Sequence, residues 1–184
     1  MTTADRVSGT LIVVVGPSGA GKDSVMGFAA RHFAQRPDIL FVRRAITRPS
    51  DAGGEVHESV SDAEFEEMSR SGAFAVSWQA HGLSYAIPAE IAEKIAKGMT
   101  AIVNGSRAAL PAIRQAFGTI AVAVITERGR ESEEDVLRRL TRQAPDVIAD
   151  ADVTVIDNSG RLDVAGRQFV ALVERHSAKR HHPA

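Results

Sequence analysis

Residues 11–24 read LIVVVGPSGAGKDS. Leu11–Val15 is apolar and mostly β-branched with no polar alternation, the pattern of a strand buried on both faces in a parallel sheet. Gly16 to Lys22 then fit G-x-x-x-x-G-K, with Asp23 where a serine or threonine is usual. Gly16, Gly19 and Gly21 let the backbone wrap tightly and turn successive N–H groups inward. The helix that follows adds its positive dipole end, and Lys22 adds a full charge at the β- and γ-phosphates. The expected cradle for nucleotide phosphates is therefore Gly16, Pro17, Ser18, Gly19, Ala20, Gly21, Lys22, Asp23 and Ser24. The Asp23 carboxylate is a hard oxygen ligand suited to Mg²⁺, directly or through water, with Ser24 as a displaced hydroxyl ligand. Capping of the helix by Asp23 is the competing reading.

Outward from this bend the chain alternates strands and helices. The spacing predicts a helix over 22–35, an extended segment over 41–46 and a loop over 49–54. Ser61-Asp62-Ala63-Glu64 is a capping box that opens a helix to about residue 70. A strand is expected over 73–78. Pro88 is expected to open a helix that stops at Gly98. Strands over 99–103, 119–125 and 153–156 alternate with helices over 106–117, 131–143 and 162–175. The alternation implies an α/β fold, a parallel sheet with helices on both faces, making a three-layer α/β/α domain. Residues 37–88 interrupt the pattern and are expected to form a small substrate-binding subdomain.

Composition bounds the partners. The chain has 184 residues, 44% hydrophobic and 24% charged, with a formal net charge of -1 and no cysteine. That suits one soluble domain in a reducing, cytoplasmic setting, without disulfides or thiolate metal sites. The N-terminus lacks a signal-peptide pattern, and no apolar run is long enough for a membrane helix. Neither a basic stripe nor interleaved aromatics points to nucleic acid. The expected partner is a small phosphorylated molecule; the oligomeric state is open, a homodimer included. The histidines of the tail, His181 and His182, are given no role.

The segments GPSGAGKDS (16–24), ITRP (46–49), GGEVHESVSDAEF (53–65), WQAHGLSYAIP (78–88) and VNGSR (103–107) resemble the guanylate-kinase-like P-loop family. Within it the chain is most similar to the ribose 1,5-bisphosphate phosphokinases of phosphonate breakdown, over nearly its whole length. The resemblance implies a nucleoside-monophosphate-kinase-like P-loop domain over 1–184, with a core over 10–36 and 98–176, the substrate-binding subdomain over 37–88 and a lid over 127–145. It implies ATP and Mg²⁺ as cofactors. The implied reaction is phosphorylation of ribose 1,5-bisphosphate at its 1-phosphate, giving 5-phosphoribosyl 1-diphosphate and ADP. The alternatives are a guanylate or other nucleoside monophosphate kinase, and a binding module with weakened catalysis.

Three positions depart from guanylate kinases. Their second arginine after Thr47-Arg48 falls at Asp51 or Ala52, their guanine-holding glutamate at Val76, and a tyrosine at His57. A guanine left without its carboxylate would lose roughly 1–3 kcal/mol. Substrate contacts are instead expected from Thr47, Arg48, Glu55, His57, Tyr85, Asn104 and Arg107. Arg43 and Arg44 are close by, one of them facing solvent. Trp78 reads as core. Asn104 stands where guanylate kinases have an aspartate, at a strand's C-terminal end, where open α/β sheets bind ligands. Asn158 resembles an adenine contact. Arg138 and Arg142 share one face of the lid helix, with Arg128 and Arg130 at its root. Lys22, Arg48 and Arg138 are the expected catalytic cations. The link between the strand ending near Ile125 and the lid is shorter than in the resembled family.

Overall fold

The computed structural model describes residues 9–49, 55–127 and 132–177. The first strand, β1 (Leu11–Val15), is fully buried and leads through the glycine bend into α1 (Lys22–His32). Next come β2 (Ile39–Phe41), β3 (Ala45–Ile46), β4 (Glu58–Ser59), α2 (Asp62–Arg70), β5 (Phe74–Ala80) and β6 (Leu83–Pro88). The chain then runs through α3 (Glu90–Ala96), β7 (Thr100–Asn104), a 3₁₀ turn at Arg107–Ala109, α4 (Leu110–Phe117) and β8 (Ile120–Thr126). It closes with α5 (Glu133–Gln143), α6 (Pro145–Asp150), β9 (Asp152–Asp157) and α7 (Leu162–Ser177).

Five parallel strands form the main sheet in the order β2-β7-β1-β8-β9. Alternate residues of β1 feed opposite faces, as a pleated strand requires. Leu11, Val13 and Val15 pack with Ile91, Leu110, Ile113 and Leu140 from α3, α4 and α5. Ile12 and Val14 pack with Val25 and Ala29 of α1 and Phe169 and Val173 of α7. Both faces are covered, so β1 has no polar position to show. No helix among the described residues is long and apolar enough to cross a membrane.

A second sheet of four strands has the order β4-β3-β6-β5. Here β3 pairs parallel with β4 and antiparallel with β6, and β5 pairs antiparallel with β6. Phe65 of α2 packs on Ala45 and Ala86 beneath this sheet. The capping box is present: Ser61 Oγ accepts from Glu64 N, and Ser61 N donates to Glu64 Oε2.

Three sequence expectations change. The single extended segment over 41–46 is two strands in different sheets; Val42 N donates to Ile102 O before the chain crosses over. Pro88 ends β6 rather than opening α3, which starts at Glu90. A proline suits either place, since β6 meets β5 there at a register shift and a helix's first residue dispenses with an N–H. The next amide, Ala89 N, bonds Ala73 O at 2.8 Å and locks that corner. Last, α6 follows α5 directly, opened by Pro145.

Gly105 couples β7 to the core. Its N–H bonds Val14 O at 2.8 Å, and a Cβ there would lie 2.5 Å from Val13 Cγ1. Gly105→Ala is expected to cost ~1–3 kcal/mol through overpacking, read as a lower denaturant midpoint at unchanged slope; an unchanged midpoint would show that the β7 end tolerates displacement.

Candidate active site

The glycine bend is closed by its own neighbours. Gly19 and Gly21 have φ of 84° and 77°, in the left-handed region. A Cβ on Gly21 would meet Asn158 Nδ2 at 2.3 Å, and one on Gly16 would meet Ile125 O at the same distance. Asn158 Nδ2 donates to Ala20 O at 3.0 Å, and Asn158 N to Thr126 O at 2.9 Å. The amide read as an adenine contact thus braces the bend against the end of β9. Lys22 Nζ folds back to donate to Gly16 O (3.2 Å) and Pro17 O (2.9 Å). Pro17, Ser18 and Gly19 are exposed on the crest, while Ala20 is buried beneath it.

Gly21 is the N-cap of α1 and has no side chain to cap it. The first helical amides therefore face the bend uncovered. Asp23 does not act as the cap; its Oδ1 accepts from Asn104 Nδ2 at 3.2 Å. The same amide donates to Glu55 Oε2 at 2.5 Å. Glu55 Oε1 in turn accepts from Arg44 Nε (2.8 Å) and is ion-paired with Nη2 (2.6 Å). A continuous polar chain, Arg44–Glu55–Asn104–Asp23, runs from the second sheet to the first turn of α1. Ser24 is exposed beside Asp23.

Arg44 is the cation that the sequence left open: Arg43 is exposed, whereas Arg44 is only 7% exposed. Its guanidinium carbon lies 4.8 Å from the Tyr85 ring centroid and 5.5 Å from that of Trp78. Those two rings are cross-strand partners, stacked with 9° between their planes. Trp78 packs against the main core, as expected, and also forms part of this aromatic floor. Arg44 was legible only as one of two adjacent arginines on an extended segment, where neighbours point to opposite faces.

Arg48 lies half-buried past β3, and its Nε is buried with no partner. Its Nη2 is 3.4 Å from His57 Nδ1. The ring nitrogens of His57 lie 3.0 Å from Glu55 O and 3.0 Å from Arg48 O. His57 thus clasps the two limbs of the loop. Thr47 Oγ1 accepts from Ser84 N at 2.9 Å, tying β3 to β6. The expected substrate hydroxyl is in this structure a sheet contact.

Burial lowers the pKa of Lys22; the nearby positive charges of Arg44 and Arg107 lower it further, and Asp23 and Glu55 oppose them. Arg107, on the turn after β7, thus lies in the same electrostatic neighbourhood. On α5, Arg138 is ion-paired along its own helix with Asp135 at 3.0 Å, and Arg142 is exposed. The helix packs beside the Arg107–Ala109 turn. Arg128 and Arg130, the Asp51–Ala52 comparison and the histidines of the tail lie outside the described residues. A cleft of about 370 Å³ lined by Asp23, Met26, Phe41, Arg43, Glu55 and Val56 opens beside the polar chain. Among the described residues no three histidines or carboxylates gather as a metal site.

No family model matches the chain. It is 47% identical over 176 residues to the ribose 1,5-bisphosphate phosphokinase PhnN of Agrobacterium fabrum, covering 90% of this chain and 96% of that protein. The PhnN of Rhizobium etli is 46% identical over 184 residues, covering 94% and 93%. The PhnN of Acidiphilium cryptum is 44% identical over 178 residues, covering 91% and 94%. Among solved structures, a guanylate kinase from Anaplasma phagocytophilum shares the fold, with a TM-score of 0.58 at 18% identity over 92% of this chain and 87% of that one.

The lowered pKa of Lys22 has a measurable consequence. Bound polyphosphate favours the ammonium, so the pKa with nucleotide lies above that without it. Affinity for a nonhydrolysable ATP analogue is expected to be level below the free pKa. It should fall as pH rises through that value, on the acid side of the ordinary 10.5 for lysine. Calorimetric titration across alkaline pH measures it; Lys22→Met should bind weakly with no such limb, and a wild-type curve level to 10.5 would contradict the assignment.

Proposed function

Because the chain belongs to the ribose 1,5-bisphosphate phosphokinase family, we propose that it moves the γ-phosphoryl group of ATP onto the 1-phosphate of ribose 1,5-bisphosphate. An oxygen of the 1-phosphate bonds to the γ-phosphorus as the bond to the β-phosphate oxygen breaks. The products are 5-phosphoribosyl 1-diphosphate and ADP. The acceptor oxygen is already ionised, so no catalytic base is needed, and rate comes from alignment and charge neutralisation.

The observation that carries the reading is the polar chain from Arg44 to Asp23, which sets a cation-rich acceptor pocket against the glycine bend. Lys22 and the uncapped amides of α1 would hold the donor phosphates. Arg48, with its unpartnered Nε, would take the acceptor's reacting phosphate, and Tyr85, Asn104 and Arg107 line the same region. Val76, in place of a guanine-binding carboxylate, favours an acceptor without a base. We assign 37–88 to acceptor binding and 127–145 to a lid. Arg138 would leave Asp135 and, with Arg142, Arg128 and Arg130, close over ATP.

The donor set fits Mg²⁺. Asp23 and Glu55 offer carboxylate oxygens that converge on one Asn104 amide. With few carboxylates at hand, the ion would depend on Asp23, phosphate oxygens and water, with Ser24 alongside, which suits its preferred hydrated octahedral shell. Bound there, it would supply positive charge to neutralise the donor phosphates.

An assay coupling ADP release to ribose 1,5-bisphosphate tests the reading, with GMP in parallel. ADP release that depends on the bisphosphate is expected, and Arg48→Ala should lower kcat/KM for it by about 100-fold or more. Turnover of GMP alone would replace the reading with that of a nucleoside monophosphate kinase.

A further inference from the structure

A flat aromatic floor beside a phosphate-transfer site is a natural seat for a nucleobase, because every base has a face that stacks. In this chain the seat is taken. The Trp78 and Tyr85 rings lie nearly parallel, and the Arg44 guanidinium lies over both, at 5.5 and 4.8 Å. The arginine is fixed from a third side by Glu55, whose other oxygen is held by Asn104. A planar cation over two rings, with a carboxylate at its edge, is stabilised in three ways at once. Reorienting it would leave the Glu55 charge buried without its partner, so it is not readily displaced.

Arg44 also has capacity left. Glu55 engages Nε and Nη2, while Nη1 has no partner among the described residues. An acceptor with two phosphates needs two cationic stations. Arg48 provides one, and Arg44 is the other buried arginine near Lys22 that the donor does not require.

We propose that Arg44 is the specificity-determining residue of the acceptor pocket: it covers the Trp78–Tyr85 floor against a nucleobase and receives one phosphate of the sugar bisphosphate. The inference deepens the kinase reading and rests on it. One side chain then performs both selections. It adds a charge-assisted contact for the correct acceptor and blocks the surface that a nucleoside monophosphate would use.

The test compares wild type with Arg44→Met, which keeps a long apolar stem over the rings, and Arg44→Lys, which keeps the charge without the planar fork. Binding of ribose 1,5-bisphosphate and of GMP and AMP is measured by calorimetry, turnover by ADP release, and melting temperature alongside. Losing a charged contact predicts a KM for the bisphosphate about 10- to 100-fold higher in Arg44→Met, with the KM for ATP within about twofold. The preference for the bisphosphate over the nucleoside monophosphates should narrow in the same variant, and Arg44→Lys should recover part of the acceptor affinity. An acceptor KM unchanged in Arg44→Met overturns the proposal. So does a parallel rise in both KM values with a fallen melting temperature, which marks a purely structural arginine. A wild-type chain that binds the bisphosphate without phosphorylating it removes the kinase reading and leaves Arg44 to be judged by binding alone; one that neither binds nor turns it over overturns both.

Discussion

The Glu55 carboxylate joins the two sheets of the molecule. One of its oxygens accepts from Arg44 Nε and is ion-paired with Nη2, at the entry to the second sheet. The other accepts from Asn104, at the C-terminal end of a central strand of the main sheet. A carboxylate in a half-buried place is costly unless its lone pairs are used, and here both oxygens are bonded. Without it, the Arg44 cation would sit uncompensated on an aromatic floor and Asn104 would lose one of its two carboxylate partners. Arg44, before β3, and Asn104, at the end of β7, are therefore placed relative to each other by one shared anion, not by apolar packing alone.

Around that anion the charges alternate. Arg44, Glu55, Asn104 and Asp23 form a path of cation, anion, amide and anion, with the Lys22 cation in electrostatic reach of its end. Such a path suits a reaction between two polyanions. Each anion in the protein holds a cation in position, and each cation faces a region where substrate charge is expected. The neutral amide of Asn104 matters here, because a third carboxylate between Glu55 and Asp23 would gather three like charges. The same path explains why Lys22 is a weaker base than an ordinary lysine: burial and two neighbouring arginines outweigh the two carboxylates.

The glycine bend and the parallel sheet were legible in the sequence because both are local. A continuous apolar run fixes a two-faced strand, and glycines at 16, 19 and 21 fix the turn that follows. Family membership was legible through the same bend and the segments around Thr47, Tyr85 and Asn104. The roles of several side chains were not, because tertiary partners set them. His57, Thr47 and Asn158 each also bond backbone outside their own turn, contacts that no local pattern announces. Arg43 and Arg44 are equivalent by composition. Only the register that pairs Ala45 with Ala86 decides which of them turns inward over Tyr85. The strand β6 escaped notice for a related reason: Pro88 satisfies the rules for a strand's end and for a helix's start, and the contact between Ala89 and Ala73 decides between them.

A crystal structure of the chain with a nonhydrolysable ATP analogue, Mg²⁺ and ribose 1,5-bisphosphate tests the central claim most directly. The account predicts the β- and γ-phosphates inside the bend from Gly16 to Lys22. It also predicts the sugar bisphosphate between Arg44 and Arg48, with an oxygen of its 1-phosphate in line with the γ-phosphorus. An empty bend with the nucleotide bound elsewhere, or a bisphosphate seated away from Arg44 and Arg48, would contradict it.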